Sequence, residues 1–179
     1  PPLLMSRQLE EMYMSKSNAP RVYFSDQSPV GQDHIVAAWK AGGPQDAMLI
    51  SRPGQGKTTM MEWMTGIPEM AEGYGVRWFQ NRVTDRDLFG LARDKFVGFV
   101  VIDEVHNMTP KEQERLLPVI EHAEIHLEGG FRSIPNIIFI VATTEPDKVL
   151  DSLKSRFPFQ PVMKSYSEEQ LVEIMQRDD

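Results

Sequence analysis

The sequence predicts an α/β fold in which a mostly parallel sheet of five strands lies between two layers of helices. Apolar runs at 97–102 and 136–142 are rich in the β-branched and aromatic residues of strands that are buried on both faces. A shorter apolar run at 47–50 leads through a glycine-containing loop into a helix-like segment. Helical segments alternate with the strands, which is typical of parallel sheets. We therefore expect a three-layer αβα sandwich.

Composition limits the class of protein. The chain has 179 residues, a formal charge of -7 and 41% hydrophobic residues, which fits one globular domain and argues against a uniformly basic surface that coats nucleic acid. There is no cysteine for a disulfide or a thiolate zinc site, and the four histidines are scattered. No apolar run has membrane length and no signal-peptide pattern opens the chain, so we expect a cytoplasmic protein with no membrane partner.

Periodicity and turn signals divide the chain into three predicted parts: a helix and linker at 1–21, the core at 22–162, and a final segment at 163–179. Amphipathic spacing and caps predict helices at 3–15, 33–40, 57–66, 85–94, 109–122, 147–153 and from 167 onward, with further strands at 76–79 and 157–162. The segment 124–134 alternates around Gly129-Gly130, the pattern of a two-residue β-hairpin. This hairpin either closes the topology or contacts a partner.

The segment 51–59 has the residues of a Walker A loop between a strand and a helix. Its glycines allow backbone N–H groups to surround a phosphate, Lys57 would neutralise β- and γ-phosphate charge, and the Thr58 hydroxyl would ligate Mg²⁺. Ser51 replaces the first glycine of the pattern, at a position that only ends the strand. The predicted phosphate-binding residues are Pro53, Gly54, Gln55, Gly56, Lys57, Thr58 and Thr59.

Two carboxylates follow the buried strand at 97–102, at the sheet edge where open α/β sheets bind ligands. Asp103 would hold Mg²⁺ and Glu104 would orient and polarise the attacking water, as in a Walker B motif. His106 follows them and is either structural or a contact to a neighbouring subunit or DNA. Upstream of the first strand, an apolar patch at 22–24 with Val30 and Gly31 either holds the adenine ring or belongs to the core.

Taken together, these motifs resemble an AAA+ ATPase of the P-loop NTPase class. The Walker A and Walker B motifs, the strand end Ala142-Thr143-Thr144 and the segment Ser155-Arg156-Phe157 follow in the order that the family shows. Within it, Pro29-Val30-Gly31-Gln32, the Asp-Glu-x-His segment and the inserted hairpin are similar to the RuvB-type Holliday-junction motors. Clamp loaders are the related alternative, although the bacterial loaders carry a cysteine zinc module that this sequence lacks.

The resemblance implies functions for further residues and partners. Thr144 would be the sensor 1 residue, with Thr143 as the alternative, and Arg156 would be an arginine finger acting on ATP in a neighbouring subunit. It also implies ATP or ADP and Mg²⁺ as cofactors, a homo-oligomeric ring that is a hexamer in the family, DNA as a substrate, and a protein partner at the hairpin. The segment 163–179 would begin a lid domain that this sequence does not complete. A nucleotide-switched binding module with slow hydrolysis is the alternative from another functional class.

Overall fold

The computed structural model describes residue 29 and residues 31–66, 75–94 and 96–177. The predicted helix at 3–15, the linker, the apolar patch at 22–24 and Val30 lie outside the described residues. None of the described helices is long and apolar enough to cross a membrane.

Helices and strands alternate along the chain. The elements are α1 (Asp33–Gly42), β1 (Ala47–Ile50), α2 (Lys57–Thr65), β2 (Gly75–Gln80), α3 (Asp85–Arg93), β3 (Val97–Asp103), α4 (Pro110–His122), β4 (Glu124–Leu127), β5 (Gly130–Ser133), β6 (Ile138–Thr143), α5 (Asp151–Lys154) and α6 (Glu168–Arg177). Short 3₁₀ turns at Val105–Asn107 and Pro146–Lys148 follow β3 and β6. The N-terminus of α3 carries a capping box, in which Thr84 accepts a hydrogen bond from the backbone N–H of Asp87.

The main sheet is parallel and has the order β1-β6-β3-β2. A fifth segment, 159–163, runs parallel to β1 on its other side and forms isolated bridges at Ala47–Phe159 and Ile50–Val162. The backbone N–H of Met48 donates to the Phe159 carbonyl at 2.8 Å. Prolines in this segment lack the N–H that a continuous ladder needs, so it lies at an edge. The predicted mostly parallel, five-stranded sheet is thus confirmed.

Two hydrophobic clusters cover the two faces of the sheet. Because side chains alternate along β3, Phe99 and Val101 point to one face while Val100 and Ile102 point to the other. The first face packs on α1 and α2, where the fully buried side chains are Trp39, Met60, Met61 and Met64. The second packs on α3 and α4 through Leu88, Leu91, Leu116 and Val119. This arrangement is the predicted αβα sandwich.

Three local predictions need correction. The hairpin forms, but Leu127 pairs with Gly130, so the turn residues are Glu128 and Gly129 rather than the two glycines. Gly129 alone has the positive φ, 86°, that the turn requires. The helix predicted at 147–153 is split, because Val149 is extended and buried between a 3₁₀ turn and α5. The spacing along α4 predicts Leu116, Leu117 and Ile120 as its buried residues, but Leu117 and Ile120 are only partly buried, whereas the polar Gln113 is fully buried.

Candidate nucleotide site

The ends of three adjacent strands bring the predicted site together. Strands β1, β6 and β3 are parallel neighbours, so their carboxyl ends meet at one edge of the sheet. A cavity of about 360 Å³ lies there. Its lining residues are Pro53, Gly54, Gly56, Lys57, Thr58, Glu104 and Thr144. Residues that were predicted separately, from the phosphate loop, the end of β3 and the end of β6, therefore share one cavity.

The loop between β1 and α2 has the backbone shape of a phosphate cradle. Gly54 and Gly56 have φ values of 78° and 79°, in the left-handed region that glycine adopts without steric cost. Gly56 caps α2 without any side-chain hydrogen bond, and the first turn of α2 carries no acidic residue. The positive end of the helix dipole therefore faces the loop with no carboxylate in the helix's own first turn, which suits an anion.

Two of the predicted loop residues do not line the cavity. The Gln55 side chain is buried, and its Oε1 accepts from the Arg52 backbone N–H at 3.0 Å while its Nε2 donates to Ser165 Oγ at 3.0 Å. The Gln55 side chain therefore links the loop to Ser165 and does not face the cavity. Thr59 is exposed on α2, one residue beyond the lining threonine.

Lys57 and the two carboxylates form a cluster of opposite charges. Lys57 Nζ lies 3.1 Å from Asp103 Oδ1 and forms an ion pair with Glu104. Asp103 is only 8% exposed, so the lysine supplies the charge compensation that a buried carboxylate needs. Glu104 follows β3 in a left-handed conformation, with φ 54° and ψ 47°, which turns the chain at the sheet edge.

A hydrogen bond from Thr144 and a contact from His106 position Glu104. Thr144 Oγ1 donates to Glu104 Oε2 at 3.0 Å. His106 Nε2 lies 3.3 Å from the same carboxylate oxygen and 3.0 Å from Glu145 Oε2. On the other side of the ring, His106 Nδ1 lies 2.8 Å from Thr143 Oγ1, which also accepts from the Glu145 N–H at 3.0 Å.

The contacts of His106 favour its Nε2–H tautomer. Nε2 faces carboxylate oxygens of Glu104 and Glu145, which only accept, and Thr143 Oγ1 can donate to Nδ1 while it accepts from the Glu145 N–H. Burial lowers the pKa of His106 below its usual value, and the charge of Glu145 only partly opposes this shift. The sequence predicted either a structural residue or a contact to a neighbouring chain for His106. Its burial and its contacts with Thr143 and Glu104 in the same chain agree with the structural alternative.

The two threonines at the end of β6 have different surroundings. Thr143 is fully buried and contacts His106, whereas Thr144 lines the cavity and contacts Glu104. The geometry thus favours the first of the two sensor 1 predictions, because only the Thr144 hydroxyl reaches the cavity.

Arg156 lies outside the cavity, just after α5. Its Nη1 lies 2.9 Å from Glu121 Oε1 on α4, and its Nε is buried without a hydrogen-bond partner in the part of the chain that the structure describes. Within one chain it therefore makes an ion pair, which is also what an arginine with a purely structural role would do.

Sequence reasoning missed Tyr166. Its hydroxyl donates to the Gln55 carbonyl at 2.9 Å. A Cβ at Gly31 or Gly56 would overlap the Tyr166 side chain, so both glycines are required for this close approach. Gln32 Nε2 also donates to the Lys164 carbonyl at 3.0 Å. The segment 164–166 thus joins the phosphate loop to the predicted adenine side of the site, a long-range contact that no local pattern signals.

The donor set also fits Mg²⁺ bound together with a nucleotide. Among the described residues, no three histidine or acidic side chains form a cage for a metal ion. Mg²⁺ commonly binds one or two protein oxygens and takes its other ligands from water and phosphates, so a cage is not required. Asp103 Oδ1 is buried without a hydrogen-bond donor, with only Lys57 to compensate its charge. Asp103 and the Thr58 hydroxyl are therefore the residues that could hold the ion.

Comparison with known proteins assigns the family. The family model for "ATPase family associated with various cellular activities (AAA)" matches residues 47–164, which include the loop, both carboxylates, the threonine pair and Arg156. Two relatives, both called Holliday junction branch migration complex subunit RuvB, come from Trichormus variabilis and a Nostoc species. Each is 29% identical over 153 residues, which cover 80% of this chain and 41% of the relative. The chain thus spans less than half the length of these curated relatives.

Solved structures share the fold. The Thermotoga maritima RuvB Holliday junction branch migration motor superposes with a TM-score of 0.66 at 22% identity, covering 88% of this chain and 53% of that one. NtrX from Brucella abortus in complex with ADP gives a TM-score of 0.62 at 14% identity, covering 97% of this chain and 45% of that one. Because the family match extends over more than half of the sequence, this chain belongs to the AAA family of ATPases.

Proposed function

We propose that this ATPase hydrolyses ATP with Mg²⁺ in an oligomeric ring that moves DNA strands, as a branch-migration motor does. The observation that carries the catalytic part is the meeting of Lys57, Glu104 and Thr144 around the cavity at the phosphate loop. Phosphoryl transfer to water needs a loop that binds the phosphates, a carboxylate that orients the attacking water and a polar group that positions them. The loop with Lys57, the Glu104 carboxylate and the Thr144 hydroxyl supply these three groups.

Each residue then has a defined role. The backbone of 53–58 and Lys57 bind the β- and γ-phosphates, and Thr58 and Asp103 hold Mg²⁺, which would neutralise charge that develops on the phosphates. Glu104 orients and polarises the attacking water. Thr144 and His106 hold the Glu104 carboxylate through its Oε2. Lys57, which pairs with both carboxylates here, moves its charge toward the phosphates when ATP binds.

The oligomeric part of the proposal rests on Arg156. An arginine finger acts on the nucleotide of a neighbouring subunit, and Arg156 lies outside its own chain's cavity with a buried guanidinium nitrogen that lacks a partner among the described residues. A ring, with six subunits as the predicted number, would place Arg156 at the next subunit's site. Glu121 would release it on assembly.

DNA as the substrate is supported by the names of the RuvB relatives.

The hairpin β4–β5 supports a protein partner, because Leu127 and Phe131 near its tip are 43% and 61% exposed. Exposed aromatic and aliphatic side chains on a projecting hairpin are typical of an interaction surface. The adenine role of Val30 and Gly31, the lid at 163–179 and the cytoplasmic location stay predictions.

The experiment is steady-state ATP hydrolysis by the complete protein, titrated with a four-way DNA junction and, separately, with primed DNA and a sliding clamp. Stimulation by the junction alone supports the branch-migration motor. Stimulation that requires the clamp would make the protein a clamp loader, and no response to either DNA would favour a nucleotide-switched module. In each case Glu104→Gln is the control, because it should retain ATP binding and lose turnover.

A further inference from the structure

A second cavity of about 460 Å³ lies on the other side of the phosphate loop. Ser51, Arg52 and Gln55 of the loop form one wall, and Lys164 and Ser165 form another. Thr144 lines this cavity and the nucleotide cavity. The two spaces are therefore neighbours that share one side chain.

The charges around this second cavity favour an anion. Among the described residues, Arg52 and Lys164 are the only ionisable ones that line it, and both are cations, although the chain as a whole carries a formal charge of -7. Neither cation has a carboxylate partner among the ion pairs of the described residues. The hydroxyls of Ser51 and Ser165 add donors to a lining that suits an oxyanion.

Ser51 supplies an independent indication of a ligand. It is only 5% exposed, and its Oγ has no hydrogen-bond partner in the described part of the chain. Buried hydroxyls without partners are rare because desolvation is then uncompensated. Ser51 also stands where the Walker A pattern has glycine, so the hydroxyl is not needed for the loop to close around a nucleotide. The Oγ itself is enclosed, so a ligand in the second cavity would become its partner when the Ser51 side chain rotates toward that cavity.

We propose that this cavity binds inorganic phosphate and receives the phosphate that ATP hydrolysis releases. The inference rests on the proposed function for its product role, but the anion site stands on its own geometry. Hydrolysis consumes ATP and water and yields ADP, phosphate and a proton beside Glu104 and Thr144. Because Thr144 is the shared wall, the phosphate passes it to reach Arg52 and Lys164 without crossing the bound ADP.

The first test measures phosphate binding by the complete protein saturated with ADP and Mg²⁺, using ³¹P NMR line broadening or calorimetry with inorganic phosphate. The double variant Arg52→Ala/Lys164→Ala should bind phosphate with an affinity that is lower by at least about tenfold, since two charge-assisted contacts are lost. Ser51→Ala should weaken it by a smaller factor. The matched control is Arg86→Ala/Lys111→Ala, which removes two exposed cations outside the cavity and should leave the affinity unchanged.

The second test compares bond cleavage with product release in a single turnover, by chemical quench and by a fluorescent phosphate sensor. The Arg52→Ala/Lys164→Ala variant should retain the cleavage rate and show an altered release rate. Equal phosphate affinity in this variant and its control would overturn the site. Wild-type release kinetics in the variant would overturn its product role. If the protein binds phosphate through Arg52 and Lys164 but does not hydrolyse ATP, the anion site is upheld and the proposed function fails.

Discussion

The two threonines at the end of β6 provide a paired test, because their valine variants should fail in different ways. Thr144→Val removes the 3.0 Å hydrogen bond to the Glu104 carboxylate. A hydrogen bond to a charged group contributes about 1.5–3 kcal/mol. If that bond acts in the transition state, kcat should fall roughly 10- to 150-fold. Since Thr144 is at the cavity surface and its shape is preserved, the free energy of unfolding should barely change.

Thr143→Val should lower stability instead. Thr143 is fully buried, and the variant leaves His106 Nδ1 and the Glu145 N–H without a partner. His106 Nδ1 belongs to a buried side chain, and an unsatisfied buried group costs about 1–3 kcal/mol, whereas Glu145 is exposed and its N–H can bond water instead. The free energy of unfolding should therefore fall by roughly 1–3 kcal/mol, out of the ~5–15 kcal/mol that is typical of a domain.

The assays are steady-state ATP hydrolysis and urea unfolding, with Thr144→Ser as the variant that keeps the hydroxyl and should restore most of the turnover. The reasoning would be refuted if Thr143→Val abolished turnover at unchanged stability while Thr144→Val hydrolysed ATP normally. That result would make Thr143 the sensor and would mean that the Thr144–Glu104 contact is absent during turnover.

Three further predictions concern stability, pH and assembly. Gln113 makes three hydrogen bonds, two to the segment before α5 and one to the Met108 carbonyl before α4, so Gln113→Leu should cost about 3 kcal/mol in urea unfolding, and no loss would contradict their contribution. Burial lowers the folded-state pKa of His106 below the unfolded value of about 6.5, so the unfolded chain binds more protons and stability should fall as pH drops through 6.5. His106→Gln should flatten that slope between pH 7.5 and 5.5, and an unchanged slope would assign it to other groups. Arg156→Ala should lower turnover on the order of a thousandfold, and mixing it with Glu104→Gln subunits should restore part of the activity, whereas no recovery would contradict action between subunits.

The sheet could be predicted from sequence because its signals are local. The runs that became β3 and β6 consist almost entirely of buried apolar residues, and the loop motif marks where β1 ends and α2 begins. The hairpin was predicted with its turn one residue too late, since two adjacent glycines permit either register and only cross-strand pairing selects one. The helix predicted before Arg156 was wrong in part, because the core holds Val149 in an extended conformation.

The site could be predicted only where its residues belong to a contiguous motif. Lys57, Thr58, Asp103 and Glu104 were found in this way. The contacts of His106 with Glu104 and Glu145 depend on the turn after β3 and on the neighbouring strand β6. The position of His106 in the sequence therefore could not predict which residues its imidazole ring contacts. Tyr166 reaches the loop from a segment more than a hundred positions away. Such contacts follow from the packing of the sheet and have no local periodicity.

The left-handed backbone of Glu104 has a consequence for how this protein tolerates change. An L-residue with a side chain in this region costs about 1–2 kcal/mol relative to the right-handed region, and glycine does not bear that cost. Glu104→Gly would therefore relax the backbone, while it removes the carboxylate that Thr144, His106 and Lys57 surround. That gain is offset by the loss of the Thr144 hydrogen bond, which alone contributes about 1.5–3 kcal/mol, and by the loss of the Lys57 ion pair. The contacts that hold the carboxylate for turnover therefore also keep this residue in its costly backbone conformation.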